Sequence, residues 1–64
     1  MTTVPKLKRL REQQFLTQYE LAEKSGVSRA TIARLEADGV AAFKTLRKLA
    51  KALGVKPEVI VVSD

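Results

Sequence analysis

The sequence contains no cysteine and no histidine, and aromatic residues make up 5% of it. Disulfides, zinc sites built from Cys or His, thiol nucleophiles and imidazole catalysis are therefore excluded. The longest apolar runs, 40–43 and 59–62, are four residues each, whereas a transmembrane helix needs roughly 20. Residues 1–15 hold no apolar stretch typical of a secretory signal. We expect that the protein is not an enzyme, that it binds no metal or other cofactor, that it does not contact a membrane and that it is located in the cytoplasm.

What is present is a short, basic and moderately apolar chain. Its 64 residues include 12 Lys and Arg against 7 Asp and Glu, a net charge of +5, and 45% of them are hydrophobic. That apolar content argues against intrinsic disorder. A chain of this length forms one core and buries only about 60% of its unfolded surface. We expect a single domain over residues 1–64.

Two helices are predicted in the first half of the chain. Apolar residues recur at helical spacing over 4–14, which predicts helix 1. Thr17 followed by Glu20 is a capping box, so helix 2 begins at Gln18. Gly26 can adopt the left-handed conformation that ends a helix, so helix 2 ends one residue earlier.

Two more helices follow. Ser28 is a second N-cap, and the pattern after it predicts helix 3 over about 29–37. Apolar residues from Phe43 to Leu53 predict helix 4, with Gly54 as its C-cap. The expected cap position of helix 4, Ala42, has no side-chain acceptor.

The C-terminal tail, 56–64, has two interpretations. Pro57 and Glu58 suit the first turn of a fifth helix. The β-branched residues 59–62 favour an extended strand instead. Both remain open, so the predicted fold class is all-α with a tail that forms either a short helix or a short strand.

Residues 17–37 combine two short capped helices with a three-residue turn that contains Gly26. This arrangement is typical of the DNA-binding helix-turn-helix. If Ile32 and Leu35 point inward, the outward face of helix 3 carries Arg29, Ala30, Ala33 and Arg34. Arginine can form two hydrogen bonds with guanine O6 and N7, and small neighbours let a helix approach the groove floor. The alternative is an ordinary helical hairpin with a solvated face.

The segments LTQYELAEKSGVSRATIARLE (16–36) and TLRKLAKALGV (45–55) resemble the Cro/Xre, phage-repressor-like helix-turn-helix family. The resemblance covers roughly residues 5–58. It implies a compact, lambda-repressor-like domain of four or five helices.

The resemblance also implies a role for individual residues. Positions matching Arg29, Ala30 and Arg34 face base edges, and an alanine methyl suits contact with the thymine methyl group. Gln18 is expected on a phosphate and against Arg29. The predicted DNA-binding residues are Thr17, Gln18, Ser28, Arg29, Ala30, Thr31, Arg34 and Lys44. Of these, Thr17, Ser28 and Thr31 match positions near the DNA backbone.

Arg11 and Glu36 match family positions that pair across helices 1 and 3, which implies a structural ion pair. The segment 17–36 has three basic and three acidic residues and is neutral, and 38–42 carries no cation. The surplus positive charge lies on helix 1 and helix 4, at Lys6, Lys8, Arg9, Lys44, Arg47, Lys48 and Lys51. Lys44 is nearest the predicted DNA side. The helix 4 cations are either solubilising or in contact with phosphates.

We predict a sequence-specific DNA-binding transcriptional regulator, a homodimeric repressor that reads a near-palindromic operator in double-stranded DNA with helix 3 in the major groove. One recognition helix reads only a few base pairs, so two copies about 34 Å apart are needed for specificity. One alternative is the DNA-binding antitoxin of a toxin-antitoxin pair, with the toxin bound through the tail. Another is a protein-interaction module that has lost DNA binding.

Overall fold

The computed structural model describes residues 2–61, which form an all-α helix-turn-helix fold with one small sheet. The helices are α1 (Leu7–Gln13), α2 (Gln18–Ser25), α3 (Arg29–Asp38), α4 (Phe43–Leu53) and α5 (Pro57–Val61). Two short strands, β1 (Thr2–Thr3) and β2 (Val40–Ala41), pair antiparallel. The predicted all-α class is confirmed.

The predicted caps define the helix-turn-helix. The Thr17 Oγ1 accepts a hydrogen bond from the Glu20 N–H at 3.0 Å, and the Glu20 carboxylate accepts one from the Thr17 N–H at 2.8 Å. These two bonds form the predicted capping box of α2, which ends at Gly26 with a φ of 77°. The Ser28 Oγ accepts the Thr31 N–H at 3.2 Å and caps α3. The turn between the helices is therefore fixed at both ends by local sequence.

The start of the chain differs from the prediction. α1 begins at Leu7 and not at Val4. Thr2 lies opposite Ala41 and Thr3 opposite Val40 in the β1–β2 pair, and a turn in which the Leu7 N–H donates to the Val4 carbonyl at 3.2 Å leads into the helix. Two-residue strands leave no periodic signal in a sequence. The sheet ties the N-terminal segment to the connection between α3 and α4.

The tail forms a helix, so the strand interpretation of residues 59–61 is wrong. Ile60 is fully buried in the core, and its carbonyl accepts a hydrogen bond from the Lys6 N–H at 3.2 Å. Burial of this side chain outweighs the β propensity of the segment, which reflects context more than backbone preference. Val62, the last residue of the predicted β-branched run, lies outside the described residues, as do residues 63 and 64.

The core receives one fully buried side chain from each of these five helices. These side chains are Leu7, Leu21, Ile32, Leu49 and Ile60. α2 packs against both α3 and α4, and α5 packs against α4 and α1. The core thus holds α3 by its inner face. Within residues 2–61, no helix has the length and apolar character needed to cross a bilayer.

Candidate nucleic-acid interface

The outer face of α3 presents two arginines beside small side chains. Arg29, Ala30 and Arg34 are exposed, while Ile32 is fully buried and Leu35 is 3% exposed. Ala33, which was also expected to point outward, is half-buried. The predicted inner and outer faces of α3 therefore agree with the structure except at this one position.

The hydroxyl groups near the helix starts are partly committed to capping. The Ser28 hydroxyl donates to Thr31 Oγ1 at 2.8 Å and accepts from the Thr31 N–H, so its own proton is used. The protons of the Thr17 and Thr31 hydroxyls have no acceptor among residues 2–61. A hydroxyl carries one donor and two acceptor positions. Thr17 and Thr31 can therefore still donate to an external anion.

Gln18 has a different partner from the one expected. The resemblance implies a contact with Arg29, but the Gln18 Nε2 donates to Glu36 Oε1 at 3.1 Å. The half-buried amide thus connects the start of α2 to α3. An amide nitrogen carries two N–H donors, so one of them remains for a phosphate. No local sequence pattern indicates a link across 18 residues.

Arg11 and Glu36 form a bidentate ion pair between α1 and α3. The Arg11 Nε lies 2.7 Å from Glu36 Oε2, and its Nη2 lies 3.0 Å from Oε1. The two side chains are 10% and 4% exposed. The Arg11 Nη1 also donates to the Leu16 carbonyl at 2.6 Å, which ties down the loop before α2. The structure thus brings together the two residues expected to pair.

The electrostatics of this pair keep Glu36 ionised. Burial by itself raises the pKa of Glu36, but hydrogen bonds from Arg11 and Gln18 and the charges of Arg11 and Lys8 outweigh it, so the pKa lies below its usual value. The hydrogen bond to Glu36 raises the pKa of Arg11, although burial opposes that effect. An ion pair presents little net charge to its surroundings. Glu36 therefore does not repel an anion approaching α3.

The α4 helix carries more cations than any other helix among residues 2–61. Lys44, Arg47, Lys48 and Lys51 are all exposed, and α4 contains no acidic residue. At about 100° per residue, these four side chains span an arc of about 100°. Lys44 is the second residue of α4, so it lies at the end of this helix that follows the connection from α3. The four cations form one positively charged face.

Gly39 was predicted only as part of a turn, yet it is buried against α3. A Cβ at this position would lie 2.6 Å from the Leu35 Cα and 2.9 Å from the Arg34 carbonyl oxygen. The dihedral φ of Gly39 is −106°, which any residue can adopt. The requirement for glycine is therefore steric. The Asp-Gly pair in the sequence indicates a turn but not this close approach.

A family model described as helix-turn-helix matches residues 7–60. The match includes the capped turn, the exposed face of α3 and the cationic face of α4. No curated protein matches the sequence.

Proposed function

The chain belongs to the Cro/Xre-like helix-turn-helix family, a family of DNA-binding regulators, and we infer that it is a sequence-specific transcriptional repressor that acts as a homodimer on a near-palindromic operator. The observation that carries this proposal is the outer face of α3, where Arg29 and Arg34 are exposed beside Ala30. As a DNA-binding regulator, the protein is proposed to act in the cytoplasm.

In this proposal α3 lies in the major groove and reads base edges. Each arginine guanidinium offers a rigid pair of donors that matches the O6 and N7 acceptors of guanine. Ala30 lets the helix approach closely and offers a methyl group to thymine. The buried inner face of α3 and the ion pair at Glu36 keep the helix from rotating. A fixed reading face is what base discrimination requires.

Backbone contacts come from the residues around that face. The free hydroxyl protons of Thr17 and Thr31 and the remaining amide donor of Gln18 are suited to phosphate oxygens. Ser28 contributes by holding Thr31 in place. The N–H groups at the start of α2 and α3 add donors with a favourable helix dipole. Lys44 supplies a cation close to the connection from α3.

The homodimer follows from the small number of base pairs that one α3 helix can read. The tail forms the helix α5, and we expect the dimer contact on its apolar surface. Val59, on α5, is 38% exposed, and it is the residue we expect at the two-fold axis. In a two-fold dimer the same patch is used by both copies.

The direct test of DNA binding is titration of the protein into a fluorescently labelled duplex of mixed sequence at several salt concentrations. Neutralisation of phosphates releases counterions, so the logarithm of affinity should fall linearly with the logarithm of salt concentration, with a slope of about −0.9 for each phosphate contacted. Binding with a slope of several units supports the proposal. If the duplex is not bound at low salt, the fold serves protein interaction instead.

A further inference from the structure

Helix α1 ends in a hydrogen-bond pattern that normally requires glycine. The Leu16 N–H donates to the Arg11 carbonyl at 3.2 Å, and the Phe15 N–H donates to the Glu12 carbonyl at 3.0 Å. These are the two bonds of a Schellman motif, in which the residue after the helix adopts the left-handed conformation. That residue is Phe15, with a φ of 58°.

Helix α4 ends in the same motif with glycine in place. The Val55 N–H donates to the Ala50 carbonyl at 3.0 Å, and the Gly54 N–H donates to the Lys51 carbonyl at 3.2 Å. Gly54 has a φ of 70°. A Cβ strains the backbone in this region, and a bulky residue there is a true outlier. The chain therefore uses glycine at one of two equivalent helix ends and phenylalanine at the other.

Packing does not compensate for this strain. The Phe15 side chain is the most exposed large apolar group among the described residues, at 92%. The ring buries almost no area, so it adds almost nothing to the hydrophobic stability of the domain. A strained backbone at a residue with no role in the core points to a function outside the fold.

The position of Phe15 indicates its partner. It lies two residues before Thr17 and three before Gln18, both of which we propose contact the DNA backbone. Two residues of extended chain span at most about 7 Å, so the ring is within reach of the same stretch of backbone. Tyr19, the next exposed aromatic residue along the chain, is 61% exposed. The net charge of +5 favours an anionic partner such as the DNA backbone.

We propose that Phe15 is a DNA-contacting residue that packs its ring against the deoxyribose face of the operator backbone beside Thr17 and Gln18. This inference rests on the proposed DNA-binding function. The contact is apolar, so it adds affinity without reading sequence and without releasing counterions. It also explains why a strained aromatic residue stands where glycine would make the domain more stable.

The test uses Phe15→Gly and Phe15→Tyr in the full chain. Phe15→Gly removes both the ring and the strain, so its melting temperature should rise by about 4 °C or more. Its affinity for a labelled mixed-sequence duplex of about 25 base pairs, long enough for two half-sites, should fall about fivefold per half-site. Phe15→Tyr keeps the ring and the strain and should match the wild-type protein in both measurements.

The two readouts of Phe15→Gly move in opposite directions, so loss of folding cannot imitate the result. The salt dependence of binding should keep its wild-type slope, whereas loss of a cation would reduce it by about 0.9. The proposal is overturned if Phe15→Gly binds the duplex as tightly as wild type, or if its melting temperature falls. It is also overturned if the affinity loss accompanies a shift from dimer to monomer in sedimentation, since the ring then contacts a second copy. If the wild-type protein itself does not bind the duplex, the proposed function fails first.

Discussion

At the scale of single residues, Glu36 connects three helices through one carboxylate. It accepts two hydrogen bonds from Arg11 on α1 and one from Gln18 on α2. A carboxylate this deeply covered is stable only while its partners remain, because an unpaired buried charge is costly. The ion pair therefore does more than neutralise a charge near the reading face. It fixes how α3 is oriented relative to the start of α2.

Removal of either member of this pair should destabilise the domain strongly. Glu36→Ala or Arg11→Ala leaves the other charge in a covered site, at an expected cost of about 3–5 kcal/mol. The double variant should lose less than the sum of the two, because it leaves no unpaired charge. Thermal or urea unfolding of the wild type, the two single variants and the double variant measures the coupling energy between Arg11 and Glu36. Two small and additive effects would contradict the assignment of a structural ion pair.

The pair also makes stability depend on pH. The pKa of Glu36 is lowered in the folded protein, so its contribution is complete above the pKa of an unfolded glutamate, about 4.3, and is lost as the pH falls through the lower folded value. The drop in melting temperature on going from neutral to acidic pH should be smaller in Glu36→Gln than in wild type. The pKa of Glu20 is lowered by its hydrogen bonds to Thr17. This group is present in both proteins, so its effect on the drop in melting temperature is the same in each and cancels in the comparison. Equal drops would show that Glu36 is not the responsible group.

At the scale of the helices and their connections, short-range sequence signals determine where the helix-turn-helix begins and turns, whereas contacts between distant residues determine the β1–β2 pairing and the tail helix. The caps at Thr17 and Ser28 and the glycine at Gly26 could all be predicted, because each is a short-range hydrogen-bond or backbone requirement. The β1–β2 pairing could not, because strands of two residues have no periodicity. The tail was ambiguous for a related reason: only the tertiary burial of Ile60 decides between helix and strand.

The site was predictable to a similar extent. The faces of α3 follow from its helical period, which places Arg29 and Arg34 outside and Ile32 inside. The link between Gln18 and Glu36 depends on how α2 crosses α3, which no spacing in the sequence encodes. The left-handed Phe15 was also missed, because a phenylalanine gives no signal for a helix end. The hint that the sequence offers is the absence of any glycine between the end of the helix 1 pattern at Gln14 and the N-cap of helix 2 at Thr17.

Gly39 provides a prediction about the connection between α3 and β2. Gly39→Ala forces a Cβ against the backbone of Leu35 and Arg34, where no flexible side chain can yield, so the end of α3 must move. We expect a loss of about 1–3 kcal/mol and a lower melting temperature.

Gly26→Ala is the matched control for Gly39→Ala. Its Cβ meets no atom within 4 Å, so only the left-handed conformation opposes the change, at about 1 kcal/mol. Chemical denaturation of both variants should therefore show a larger loss of unfolding free energy for Gly39→Ala than for Gly26→Ala. If Gly39→Ala is as stable as Gly26→Ala, the close approach does not constrain α3.

At the scale of the whole molecule, charge is distributed unevenly. The helix-turn-helix segment 17–36 is neutral by count, and the excess that makes the chain +5 lies largely on α1 and α4. Four of those cations share the exposed face of α4, where a second copy of the same face would be repelled. A dimer contact is therefore expected on the apolar surface of α5 and not on the cationic face.

Val59→Lys tests this dimer contact without removing part of the core. Ending the chain before α5 would also delete Ile60, which is fully buried. A truncated chain could therefore become monomeric because it loses the dimer contact or because it unfolds, and the experiment would not separate the two causes. Val59→Lys should shift the protein from dimer to monomer in sedimentation equilibrium and weaken operator binding far more than non-specific binding. Glu58→Gln changes the charge by the same amount on the neighbouring exposed position and should remain dimeric. A Val59→Lys protein that stays dimeric would place the interface elsewhere.

The central claim is that the exposed face of α3 reads DNA sequence, and selection of bound duplexes from a random pool tests it most directly. The wild-type protein should enrich an inverted repeat whose half-sites are centred about 10 base pairs, or a multiple of that, apart. Arg29→Ala and Arg34→Ala should each weaken binding to that site by about 1–3 kcal/mol and relax the preference for guanine at one position per half-site. Lys44→Ala should weaken binding to all sequences alike. If Arg29→Ala and Arg34→Ala enrich the same sequence as wild type with undiminished affinity, α3 is not the reading helix.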